Sequence, residues 1–147
     1  MNQIEILLVE DNPADLKMTL HALRGGKVAN HIQVARDGAE ALEFIFCEGE
    51  FATRNINDGP KVILLDLKLP KVGGLEVLAR VKSDPRTRQI PVVIMTSSNE
   101  QSDLAKSYDL GANSYIVKPV NFESFAKAVQ DLGMYWLLLN QPPTPGV

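Results

Sequence analysis

Lys61-Val-Ile-Leu-Leu-Asp-Leu-Lys-Leu-Pro-Lys-Val-Gly-Gly74 is the stretch whose reading decides the fold. Val62 to Leu65 form a short apolar run that passes directly into Asp66. A run of this length, apolar on both faces and partly β-branched, reads as a central strand of a parallel sheet. Asp66 then stands at the strand's carboxyl end, where open α/β sheets place their sites. Pro70 and the Gly73-Gly74 pair mark the turn out of the strand. Taken alone, Asp66 is equally well read as a turn or helix-capping residue, so the other strand ends matter.

Upstream, Ile4 to Val9 reads as a buried strand ending in Glu10-Asp11. Asn12-Pro13 opens a helix: proline fits the first turn, and Asp15 suits the positive end of the helix dipole. Leu16, Leu20 and Leu23 carry its apolar spacing, and Gly25-Gly26 stops it. His31 to Ala35 alternates as a strand nearer the sheet edge. After Asp37-Gly38, residues Ala39, Leu42, Ile45 and Phe46 line a second helix, followed by a long polar connection over 48–60. Downstream of the opening stretch, a third helix from Leu75 closes at Ser83-Asp84-Pro85. Pro91 to Met95 is a fourth strand running into Thr96, and Asn99 to Leu110 a fourth helix. Asn113 to Val117 is a fifth strand running into Lys118-Pro119, and 121–139 a last helix. Strands alternating with helices predict an α/β protein with helices on both faces of a parallel sheet.

Composition narrows the function classes. The chain has 147 residues, 45% hydrophobic and 22% charged, which is ordinary for one soluble domain. We read residues 1–140 as that domain, with a C-terminal helix extension, and 141–147 as a Pro-rich tail. The net charge of −3 gives no reason to expect nucleic acid as a partner. A single cysteine, Cys47, excludes an intrachain disulfide and a cysteine metal cluster. The first residues do not read as a signal peptide, and no apolar run reaches the ~20 residues that span a bilayer. A cytoplasmic location, away from the membrane, is expected.

Parallel strands flanked by helices point one way, so Glu10-Asp11, Asp66, Thr96 and Lys118 converge on one rim of the sheet. Crowded carboxylates repel one another, and their ionised form calls for a cation. Mg²⁺ suits oxygen ligands in a hard octahedral shell. Asp66 is then a candidate nucleophile toward phosphorus, Lys118 a counter-charge for the phosphoryl group, and Thr96 a hydroxyl donor to it. Plainer readings exist for each: Glu10-Asp11 and Thr96 as helix caps, Lys118 as a solvated lysine. His21 and His31 lie away from this rim. Gly73-Gly74 lacks the Lys-Ser/Thr of a phosphate-binding loop.

Leu8-Val-Glu-Asp-Asn12, Leu65-Asp-Leu-Lys-Leu-Pro70 with Gly74, Met95-Thr-Ser97 and Val117-Lys-Pro119 together resemble the receiver domain of two-component response regulators. The resemblance covers about residues 3–133, and the intervals from Asp66 to Thr96 and from Thr96 to Lys118 match that family. It implies a doubly wound, flavodoxin-like fold with a five-stranded parallel sheet in the order 2-1-3-4-5. It implies that Asp66 is the phosphoacceptor and that Glu10, Asp11, Asp66 and the backbone carbonyl of Lys68 hold Mg²⁺. By the same resemblance Thr96 and Tyr115 form a switch pair, Lys118 contacts the phosphoryl group, and Lys118–Pro119 is cis. Asn12, Pro13, Asp15 and Leu16 become candidates for docking a histidine kinase. The interval from Asp11 to Asp66 is longer than in a minimal receiver, the excess falling in 48–60. That connection and the Trp136-containing extension look like single-domain regulators that pair with cyanobacterial phytochromes.

The reading is a phosphorylation-dependent switch rather than an enzyme with external substrates. It receives its phosphoryl group from a sensor histidine kinase and acts through a partner protein or dimerisation. A metal-dependent phosphatase of similar fold and a phosphorylation-independent adaptor are the alternatives. The dimer expectation rests on the end of the last helix. Phe122, Phe125, Ala126, Val129, Leu132, Trp136 and Leu139 make one apolar stripe. Met134, Tyr135, Leu137 and Leu138 extend the apolar surface around Trp136 to the remaining sides, and such a helix needs a second surface to cover it.

Overall fold

A computed structural model of the chain describes residues 6–25, 31–97 and 100–131. Five strands, β1 (Ile6–Val9), β2 (Ile32–Ala35), β3 (Val62–Asp66), β4 (Val92–Thr96) and β5 (Ser114–Val117), form one sheet. All pairings are parallel, in the order 2-1-3-4-5. Among the described residues, five α-helices connect and follow them: α1 (Pro13–Gly25), α2 (Gly38–Ile45), α3 (Gly74–Ser83), α4 (Gln101–Asp109) and α5 (Phe122–Asp131). The alternation of strands and helices predicts this parallel sheet with helices on both faces, and the doubly wound order is the one the resemblance implies.

The apolar runs of the central strands are explained by burial on both faces. Ile6, Leu8, Val62, Leu64, Val93 and Met95 face one cluster, together with Leu16 and Leu23 of α1 and Phe125 and Ala128 of α5. Leu7, Val9, Ile63, Leu65, Val92 and Ile94 face the other, with Leu42 and Ile45 of α2 and Val77, Leu78 and Val81 of α3. The period-two alternation of Cβ directions divides each strand between two cores. β1, β3 and β4 are buried throughout, whereas the outer strands β2 and β5 are only partly so.

Several boundaries differ from the sequence reading, each for a local reason. β4 starts at Val92 rather than Pro91, since proline brings no N–H to the ladder; its carbonyl still accepts from Ile63 N at 2.9 Å. β4 also runs through Thr96 instead of stopping at Met95. Asn113 lies just outside β5, yet its Oδ1 accepts from Val92 N at 2.9 Å and its N–H donates to Val92 O at 2.8 Å. The polar connection after α2 contains two 3-10 turns, Gly49–Phe51 and Ile56–Asp58. Arg54 organises it: the guanidinium lies 3.7 Å over the Phe44 ring and donates to the carbonyls of Phe44 and Asp58. The reading of a helix through 139 and the apolar residues Met134, Tyr135, Trp136, Leu137 and Leu138 lie outside the described residues, as does the tail 141–147. No helix among the described residues is long and apolar enough to cross a membrane.

Candidate functional site

The carboxyl rim of the sheet collects the strand-end residues. Glu10 follows β1 and is fully buried; Asp66 ends β3 and is almost so; Asp11 is exposed beside them. One carboxylate oxygen from each lies within 4.8 Å of the others. Asn12 fixes this corner. Its N–H donates to Glu10 Oε2 at 3.1 Å, while its side-chain Oδ1 accepts from Asp15 N at 3.0 Å and caps α1. Asp66 is held in turn, with Oδ1 accepting from Lys68 N at 3.2 Å. Gly74 lets α3 start against the same strand: a Cβ there would lie 2.1 Å from the Asp66 carbonyl oxygen.

Lys118, just beyond β5, reaches into the cluster. Its backbone N–H donates to Thr96 O at 2.8 Å, which ties the end of β5 to the end of β4. Its Nζ lies 2.6 Å from Glu10 Oε1, 2.9 Å from Asp66 Oδ2 and 2.9 Å from Asp15 Oδ2. The contacts to Asp66 and Asp15 are directed hydrogen bonds. The closer approach to Glu10 is an ion pair of poor direction, since Oε1 is buried without a hydrogen-bond partner. Lys118–Pro119 is cis, as the resemblance implied.

Electrostatics follow from the crowding. Burial raises the pKa of Glu10 most; Lys118 opposes the rise, the Asp66 carboxylate adds to it, and the result is about 7. For Lys118, burial alone would lower the pKa, but the carboxylates of Glu10, Asp66 and Asp15 around the ammonium outweigh it and the net shift is upward. Three acids therefore face one ammonium, and Asp11 stands beside two of them. The surplus of carboxylate oxygen, and the buried Glu10 oxygen that Lys118 does not satisfy, fit a hard divalent cation bound by Glu10, Asp11 and Asp66.

The remaining expected residues fall where their roles require or do not. Thr96 is buried at the end of β4. Tyr115 is half-buried on β5 and packs against the α2–α3 core. Lys68 is exposed on the turn after Asp66. Of the docking candidates, Asn12 and Pro13 are exposed and Asp15 is partly so, but Leu16 is only 7% exposed and belongs to the core. Two functional features escaped the sequence. The sequence marks Gly74 as a turn residue, and its packing against Asp66 emerges only in the fold. The sequence marks Asp15 as a dipole and docking residue, but its pairing with Lys118 spans 103 positions. The available signal was an acid one helical turn after Asp11, on the same rim.

This rim, on this sheet, defines a class of signalling domain. Residues 6–130 match the response regulator receiver domain family, and the chain belongs to that family of phosphorylation-dependent signalling switches. A solved structure titled the bacteriophytochrome response regulator RtBRR is 55% identical, with a TM-score of 0.84, covering 97% of this chain and 85% of that one. Response regulator Rcp1 of Synechocystis is 39% identical over 132 residues, 90% of this chain and 88% of Rcp1. Its Mn²⁺-bound crystal structure superposes with a TM-score of 0.75, covering 97% and 99% of the two chains. The phosphorylated cyanobacterial phytochrome response regulator RcpA is 40% identical, with a TM-score of 0.76 and the same coverage.

Proposed function

We propose that Asp66 accepts the phosphoryl group and that the rim around it is the receiver's catalytic site. The observation that carries this is the Lys118 ammonium, which binds the Asp66 carboxylate at 2.9 Å inside a cluster of carboxylates on adjacent strand ends. The Asp66 oxygen attacks phosphorus in line, the bond to the donor's leaving atom breaks, and an acyl phosphate forms. Lys118 neutralises a phosphoryl oxygen, and the Thr96 hydroxyl donates to another. Glu10, Asp11 and Asp66, with the Lys68 carbonyl, would hold Mg²⁺, which supplies positive charge against the incoming group. The Mn²⁺-bound relative supports a divalent cation here, and the all-oxygen set accepts Mg²⁺ as readily.

The donor is a sensor histidine kinase of phytochrome type, a reading supported by kinship with RtBRR and RcpA. Asn12, Pro13 and Asp15 offer the kinase an accessible edge beside the site; Leu16 sets their helix from within the core. Thr96 drawn toward the phosphoryl group leaves room for Tyr115 to turn inward, which biases the packing of α4, β5 and α5. Output passes to a partner protein or through self-association of the apolar segment Met134, Tyr135, Trp136, Leu137 and Leu138.

Incubation with Mg²⁺ and acetyl phosphate, followed by intact-protein mass measurement, tests the acceptor. The wild-type chain is expected to gain the mass of one phosphoryl group and Asp66→Asn none. An undiminished adduct on Asp66→Asn overturns the assignment. Sustained turnover of small phosphate esters points instead to a phosphatase.

A further inference from the structure

We propose that Asp15 is the positioning residue for Lys118, the acceptor that keeps the ammonium in place while Asp66 reacts. The inference rests on Asp66 being the phosphoacceptor. An ammonium has three donors and no acceptor, and Lys118 meets three carboxylates. Glu10 and Asp66 belong to the acid cluster that can close on a cation; Asp15 does not. Once those two turn to a cation or a phosphoryl group, Asp15 is the one carboxylate of the three left to hold Lys118.

The local structure releases Asp15 for this task. An acidic residue at the third position of a helix ordinarily reaches back to the N–H of the capping residue. Here that N–H, on Asn12, already donates to Glu10 Oε2. The Asn12 side chain fixes the backbone of Asp15, so its carboxylate starts from a defined point and turns to Lys118 across the crevice between α1 and Lys118-Pro119-Val120. Asp15 is 39% exposed in its side chain and Lys118 12%. Asp15 therefore closes the solvent side of the cluster over the ammonium. A second consequence follows: the same residue lies on the edge of α1 that a kinase would touch, so a change at Asp15 acts on the chemistry as well as on docking.

A bystander anion and a positioning residue make opposite predictions. Removing a negative charge near the site would speed the approach of an anionic donor; removing the hold on Lys118 slows the reaction. Acetyl phosphate separates the chemistry from kinase docking. With Mg²⁺ saturating, Asp15→Ala is expected to take up phosphoryl groups roughly three- to tenfold more slowly than wild type. Asp15→Asn keeps the shape and one acceptor oxygen and is expected to fall between them, and Asp15→Glu, which restores the charge, to recover part of the rate. Independently of any donor, the Lys118 ammonium protons are expected to exchange with water faster in Asp15→Ala, read by nitrogen-15 spectroscopy, with unchanged circular dichroism. Equal or faster phosphorylation of Asp15→Ala and Asp15→Asn, or unaltered ammonium exchange, overturns the role of Asp15 alone. A wild-type chain that takes no phosphoryl group on Asp66 overturns the acceptor reading first, and the purpose given to Asp15 with it.

Discussion

Glu10 should make the stability of the metal-free protein fall as pH rises through neutrality. Its carboxyl is fully buried, and its pKa moves from 4.5 to about 7, chiefly through burial. A carboxyl that holds its proton more tightly folded than unfolded stabilises the fold below its unfolded pKa. That contribution is lost as pH rises through the folded value. With those two values, linkage gives a loss of roughly 2–3 kcal/mol between about pH 5 and about pH 8. This is a large part of the ~5–15 kcal/mol that holds a domain together. Urea unfolding across that range, in chelator, for wild type and Glu10→Gln isolates the residue, because the amide cannot ionise. Wild type is expected to lose roughly 2–3 kcal/mol relative to Glu10→Gln as pH rises. Saturating Mg²⁺ should flatten or reverse the difference, since a bound cation favours the ionised carboxylate. A difference that stays flat in chelator, or grows in favour of wild type, refutes the reasoning.

Gly74→Ala places a Cβ 2.1 Å from the Asp66 carbonyl oxygen, whereas a Cβ at Gly73 meets nothing within 4 Å. The first is expected to cost ~2 kcal/mol or more and to slow phosphoryl uptake; thermal melts and acetyl phosphate kinetics should leave Gly73→Ala close to wild type on both counts. Arg54→Ala removes the guanidinium from the Phe44 ring and from the carbonyls of Phe44 and Asp58. It is expected to cost ~1–3 kcal/mol and to open the connection between α2 and β3 to limited proteolysis, with phosphorylation unchanged.

Residues 62–65 announced the sheet because a strand buried on both faces has no polar side to blur its pattern. The helix opening at Asn12-Pro13 and the stop at Ser83-Asp84-Pro85 were legible for a related reason: their chemistry is local. Strand direction then brought Glu10, Asp66, Thr96 and Lys118 to one rim without any distance being known. What stayed hidden depends on contacts between remote segments. Asp15 meets Lys118 only after α1 packs beside the end of β5. Arg54 gives the 48–60 connection its shape through the ring and carbonyl of Phe44, ten positions away. Leu16 could face core or solvent from spacing alone, and burial beside Leu23 and Phe125 resolves it.

The connection braced by Arg54 enters β3 at the sheet's amino rim, while the acids stand at the carboxyl rim. Five residues of β3 lie between them, roughly 16 Å at ~3.3 Å per residue. Lengthening such a loop adds only about 0.6 kcal/mol of closure entropy for each doubling. Insertions can accumulate there without moving a single acid. The two poles of the domain thus evolve under separate constraints, and a reporter peptide spliced into the exposed part of this loop would leave the phosphorylation chemistry at the far end of the strand undisturbed.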